Sequence, residues 1–259
     1  MTAKTMLLLI ILSSLVHAQQ RLIWSDEFDR SANSPPDETK WSYDLGGGGW
    51  GNHELETYTN SAVNVHHDGQ GHLVIRATQS ASGAYNSARI KTRGHFSFTY
   101  GRVEARMKLP RGQGMWPAFW MLGDNIGTAG WPSCGEIDVM ENIGREPNIV
   151  HGTIHGPGYS GSKGISSPFK FPAGTTPSDD FHVYAVAWTR GKIEFSVDNA
   201  AYETITPQSL LPGTTWAYDH PFFLLLNLAV GGSWPGGPDA TTQFPQDLLI
   251  DWVRVYGIE

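Results

Sequence analysis

The chain has 259 residues, with 18 Lys and Arg against 25 Asp and Glu for a formal net charge of −7; that balance excludes a basic face able to displace counterions from nucleic-acid phosphates. Charged residues make up only 17% of the chain, while glycine numbers 30 and aromatics reach 12%, against roughly 25% charge in an ordinary soluble domain. A coiled coil, a disordered tail and a helical bundle are excluded, and a loop-rich β protein handling an uncharged polar ligand fits. In chain order, residues 1–18 read as a secretory leader: Lys4 opens it, Met6 to Val16 form an apolar run, and Val16-His17-Ala18 supplies small or tolerated residues at the cleavage offsets. The run has 11 residues, too few for a bilayer span of about 20, so a secreted, extracellular protein free of membrane is expected. Residues 19–259 carry no low-complexity linker, charge block or repeat, and read as one domain.

Short alternating segments recur along that domain. Leu73–Thr78, Arg102–Leu109 (ended by Pro110) and Leu248–Tyr256 alternate, and Phe222–Val230 is a continuous apolar run long enough to be a strand buried on both faces. His182–Thr189, Arg190-Gly191 and Lys192–Val197 spell a hairpin. Helical periodicity over ten residues is absent, so the expected architecture is all-β, an antiparallel β-sandwich of jelly-roll type with a concave cleft. Cys134 is the lone cysteine, so no internal disulfide exists and a large core must hold the fold unaided. Cys134 itself is expected to be a small buried side chain. No Asn-x-Ser/Thr acceptor site occurs.

The most informative stretch is Glu136-Ile137-Asp138-Val139-Met140-Glu141. In a regular strand Glu136 and Asp138 share a face and Glu141, at an odd offset, points away. One extra residue, a bulge around Val139-Met140, returns Glu141 to that face and sends the apolar residues inward. Three like charges on one face cost free energy that a merely structural strand would avoid. The arrangement suits a retaining glycosidase, which holds one carboxyl as nucleophile and another as general acid/base. A calcium cluster is a poorer reading, because its oxygen ligands belong on a loop rather than between Ile137, Val139 and Met140.

The acid stretch resembles the Glu-x-Asp-x-x-Glu signature of glycoside hydrolase family 16 in its bulged, laminarinase-like form. The likeness extends through Trp24–Asp29, Asn52–Tyr58, Ser87–Thr92, Tyr100–Glu104, Met115–Leu122, His151–His155, Asn227–Gly232 and Ile250–Tyr256. It implies a jelly roll that hydrolyses β-1,3-glucan internally with retention, Glu136 being the nucleophile, Glu141 the acid/base and Asp138 the helper that tunes Glu136. It places Asn52 and Arg89 on sugar hydroxyls of the negative subsites and His155 in the cleft near the acid/base. It also implies a structural calcium on the convex side at Glu27, Gly71 and Asp251, through backbone carbonyls and one aspartate, with no cofactor required for catalysis.

Trp116 and Trp131, beside prolines and turns, read as sugar platforms, as does Trp234 in its Gly/Pro loop; an indole covers the C–H face of a sugar while its N–H reaches a hydroxyl. Trp120, inside an apolar run, fits either core or site, and Trp188 reads as core. His151 and His155 share a strand face, but no third zinc ligand accompanies them. The expected partner is a β-1,3-glucan polysaccharide, and the protein is expected to act on it as a monomer. The competing readings are a non-catalytic β-1,3-glucan-binding receptor, and the same chemistry on a mixed-linkage glucan or a galactan.

Overall fold

Alternating side chains build two facing sheets in the computed structural model, which describes residues 21–257; the expected leader, residues 1–18, lies outside them. In chain order the strands are β1 (Arg21–Asp26), β2 (Ser42–Asp44), β3 (Glu56–Tyr58), β4 (Val65–His67), β5 (Leu73–Gln79), β6 (Tyr85–Ser87), β7 (Arg89–Lys91), β8 (Gly101–Lys108) and β9 (Met115–Gly123). A one-turn helix α1 (Ile126–Ala129) precedes β10 (Glu136–Asn142), β11 (Ile149–His155), β12 (Ile165–Lys170), β13 (His182–Thr189), β14 (Lys192–Val197), β15 (Ala200–Ile205), β16 (Phe222–Val230) and β17 (Gln246–Gly257). The outer sheet runs β15-β14-β13-β8-β17-β5-β6-β3, with β1 on β17 and β4 on β5; the cleft sheet runs β12-β11-β10-β9-β16-β7-β2. The expected jelly-roll sandwich is what forms. Its pairs are antiparallel except the three-residue contact of β3 with β6, which is parallel.

The patterns read from sequence explain the layers. β8 alternates buried and half-buried without a break, putting Val103, Ala105 and Met107 inward and Arg102, Glu104 and Arg106 outward. β16 is buried at every position, as its apolar run requires, because it lies mid-sheet between core and cleft. The 182–197 hairpin forms with the expected limits. The other strand ends differ from the sequence reading by only one or two residues. Trp188 sits fully buried between the sheets, donating its indole N–H to the Tyr218 carbonyl at 3.0 Å.

Candidate active site

β10 carries the acids across the middle of the cleft sheet. Against β11, Glu136 faces His155, Asp138 faces Thr153, and the register then slips so that Glu141 faces His151. Against β9 the slip falls between Asp138 and Met140. This is the bulge expected at Val139-Met140. Its consequence is that two successive residues, Val139 and Met140, join Ile137 in the main core, while Glu136, Asp138 and Glu141 all line the cleft. The slipped register also sets a row across the sheet: His151, Glu141, Ala118, Asn227, Arg89 and Asp44, one per strand from β11 to β2.

Each acid has identifiable partners. Trp131 donates its indole N–H to Glu136 Oε2 at 2.7 Å, and Trp116 donates to Glu141 Oε1 at 3.0 Å. His155 Nε2 stands 3.2 Å from Asp138 Oδ2 and 3.9 Å from Glu136 Oε1, a basic neighbour that sequence proximity did not reveal. Gly164 makes room for that ring: a Cβ there would lie 2.4 Å from His155 Cε1. Burial, reinforced by the Asp138 charge, pushes Glu136 up to about 8. Burial pushes Glu141 up to about 7, with His155 pulling the other way. Asp138, only 3% exposed, is driven well above its ordinary value by burial and by Glu141. Three carboxyls this close resist ionising all together, so the group keeps a proton near neutrality, as acid catalysis requires.

The cleft encloses about 850 Å³ on the concave face, and Asn52, Arg89, Trp116, Trp120, Trp131, His155 and Trp234 all line it with the acids. Trp120 belongs to the site's floor, and a small second cluster of Leu122, Cys134, Phe223 and Leu225 packs against it and Ile126. Cys134 is thus the inert buried side chain expected. The indole N–H groups do something the sequence did not suggest. Those of Trp116 and Trp131 go to the Glu141 and Glu136 carboxylates, and that of Trp120 goes to Asn227 Oδ1 at 2.8 Å, so these rings offer a ligand carbon surface rather than a donor.

Arg89 lies over the Trp120 ring at 4.6 Å and the Trp50 ring at 5.0 Å, and its Nε is 3.0 Å from Asp44 Oδ2. Trp234 packs edge-on against Trp116 and His151. Its loop is tied to the Asn52 loop through Ser233 N–H on the Asn52 carbonyl at 2.8 Å. Trp50, Glu54, Thr153 and Asn227 also line the cleft and were missed, and so does His151, which the sequence raised only as half of a zinc pair. Asn227 lies within an otherwise apolar run, and a lone amide there was the available signal. His151 pairs with Glu146 at 3.2 Å. Among the described residues, the three-ligand side-chain cluster within 4.8 Å is Glu136, Asp138 and His155, which the acid chemistry already explains.

The residues expected to hold calcium lie on the outer sheet. Asp26 at the end of β1 faces Val253, and Leu73 at the start of β5 faces Ile250, with β8 on the other edge of β17, so Glu27 and Gly71 approach each other along one edge of β17 near Asp251. The Glu27 carboxylate is committed to Arg254, at 3.1 and 2.7 Å. Asp251 Oδ2 meets Arg106 at 2.5 Å, and among the described residues Oδ1 accepts no hydrogen bond. The Glu27 side chain is therefore taken, and a hard cation here would have to use the Glu27 and Gly71 carbonyls and the remaining Asp251 oxygen.

A jelly roll with two glutamates and an aspartate under indole donors on the floor of an open cleft defines a carboxylate-dependent glycoside hydrolase. The family model "Glycosyl hydrolases family 16" matches residues 52–254, and the chain belongs to that family. It is 44% identical to a β-glucanase of Rhodothermus marinus over 246 residues, covering 91% of this chain and 84% of that one. It is 39% identical to glucan endo-1,3-β-glucosidase A1 of Niallia circulans, covering 92% of this chain but 38% of the longer relative. The solved endo-β-1,3-glucanase of Pyrococcus furiosus superposes with a TM-score of 0.87 at 46% identity, over 93% of this chain and 95% of that structure.

Proposed function

We propose that the protein is an endo-acting β-1,3-glucanase that works with retention. Glu136 attacks the anomeric carbon while Glu141 protonates the leaving glycosidic oxygen, giving a glycosyl-enzyme. Glu141, now ionised, takes a proton from water as that water attacks, and Glu136 is released. Attack needs Glu136 ionised, and Asp138, the most buried of the three, takes up the proton that burial favours on Glu136 and holds it during the attack. The observation that carries the reading is the bulge, which sets Glu136 and Glu141 on one side of the sheet despite their odd spacing. The Trp platforms and Arg89 on the β9–β16–β7 side support a glucan chain laid across the strands.

The test is product analysis on laminarin, lichenan and agarose side by side, with the anomer followed by NMR in the first minutes. Laminarin yields oligosaccharides whose new reducing ends appear first as the β-anomer. First appearance of the α-anomer overturns retention; binding without new reducing ends makes the protein a glucan-binding receptor; preference for agarose or lichenan moves the same chemistry to another glycan.

The proposal includes secretion and action as a monomer. Among the described residues, no helix is long and apolar enough to cross a membrane. It also includes a structural calcium held by the Glu27 and Gly71 carbonyls and Asp251. Added calcium raises the melting temperature over that in EDTA, and Asp251→Asn removes the increment. A melting temperature indifferent to both removes the ion from the proposal.

A further inference from the structure

A chain of hydrogen bonds runs behind the sugar-binding side of the cleft. The Trp120 indole N–H donates to Asn227 Oδ1 at 2.8 Å, Asn227 Nδ2 donates to the Tyr58 hydroxyl at 3.1 Å, and Tyr58 donates to Glu54 Oε2 at 3.0 Å. On its other oxygen Glu54 accepts Asn52 Nδ2 at 2.9 Å. One end of this chain is an indole, which can only donate, and the other is a carboxylate, which can only accept. Between such ends an amide and a hydroxyl have one orientation each. The direction of every bond is therefore set by chemistry.

We propose that Glu54 is a positioning residue for substrate: as the acceptor-only terminus it fixes Asn52 at the cleft rim and, through Tyr58 and Asn227, the Trp120 ring on the cleft floor. This deepens the glucanase reading and rests on it. Glu54 is half-buried and lines the cleft beside Asn52, while Tyr58 and Asn227 are 1% and 6% exposed. Bonds in the inner part of the chain are thus shielded from water, and water cannot substitute for a partner removed there.

Behind Glu54 lies a second, more deeply buried carboxyl. Glu56 is 1% exposed, accepts the Val230 N–H at 2.7 Å through Oε2, and has no hydrogen-bond partner on Oε1. Burial first, and the Glu54 charge second, push Glu56 up to about 8. Glu54, the less buried of the two carboxyls, has two donors aimed at it, the Tyr58 hydroxyl and the Asn52 amide. Asn52, with one N–H committed to Glu54, then turns its carbonyl oxygen and its second N–H to a sugar hydroxyl.

Glu54→Gln is the same size but can donate as well as accept, so the chain loses its single direction. Expected is a rise of about tenfold in KM for β-1,3-gluco-oligosaccharides, with kcat changed by less than about threefold and the melting temperature kept within about 2 °C; charge-assisted bonds of this kind are lost at roughly that scale. Tyr58→Phe, which cuts the chain but spares the Asn52 bond, gives a smaller KM increase. Affinity for a laminari-oligosaccharide is also read by calorimetry in the background of Glu136→Gln, where no turnover occurs. Weaker binding in the double variant supports the proposal there as well. Unchanged KM and affinity in Glu54→Gln overturn it, as does a loss confined to kcat or accompanied by a collapse of the melting temperature, which marks a structural role. If wild type neither hydrolyses nor binds laminarin, the glucanase reading fails instead.

Discussion

Glu136→Gln lowers kcat on laminarin by about 10⁴-fold or more, the scale on which a lost nucleophile is felt, with KM little changed. The amide still accepts the Trp131 N–H that Glu136 Oε2 accepts at 2.7 Å, so the side chain keeps its place and only the attacking charge is gone. Glu141→Gln behaves differently. Its amide likewise keeps the Trp116 bond, and the loss on laminarin is about 10²–10⁴-fold, the range for a missing general acid. On an aryl glucoside with a good leaving group the first step no longer needs that acid, so a glycosyl-enzyme accumulates. Azide, a nucleophile that needs no base, then restores turnover in the Glu141 variant and yields the β-configured azide.

In wild type the alkaline limb of kcat/KM follows loss of the Glu141 proton at about 7, and it disappears in Glu141→Gln. Steady-state kinetics on the two substrates decides the roles. Near-normal laminarin turnover by either variant removes that glutamate from the chemistry, and azide rescue of the Glu136 variant to the β product exchanges the two assignments.

The acids were legible because a strand's two-residue period makes an odd spacing conspicuous. Glu136 and Asp138 agreed in face and Glu141 did not, and only an inserted residue reconciles them. The same period gave β8, and length plus apolarity gave β16. What stayed hidden depends on pairing between distant strands. Asn227 is a single amide in an apolar run until β16 is set in register beside Ala118 of β9 and Arg89 of β7; only then does it fall in line with Glu141. Glu54 and Tyr58 fall in a stretch that carries the family resemblance, but nothing local says that they continue and end a bond chain begun at Trp120. His155 was assigned to the cleft through resemblance, yet its contact with Asp138 follows from β11 facing β10. The destination of each indole N–H was equally out of reach, since periodicity places a ring but does not aim its edge.

The geometry that makes these glutamates reactive also makes them expensive to fold, which leads to an expected result of opposite sign for stability. Glu141 rises from its ordinary 4.5 to about 7 on folding, and Glu136 from 4.5 to about 8, burial being the first cause of each. Between those limits the folded chain holds protons that the unfolded chain has released, so stability falls as pH rises through the window and levels off above it. Below about 4.5 both states are protonated and the cost is absent. Glutamine never titrates. Glu141→Gln therefore melts higher than wild type at pH 8 and nearly equal to it at pH 4.5.

A shift of this size corresponds to about 3 kcal/mol, reduced to about 2 kcal/mol because the side chain is partly open to the cleft, or about 4–8 °C for a chain of this length. Glu136→Gln behaves alike, with its window reaching about 8. The two gains do not add, because removing one charge relieves the other. Calorimetric melts of the three proteins at pH 4.5 and pH 8 decide the matter. Should the variants melt lower than wild type at pH 8, the indole and imidazole partners hold the carboxylates more strongly than burial opposes them, and the glutamates serve the fold as well as the reaction.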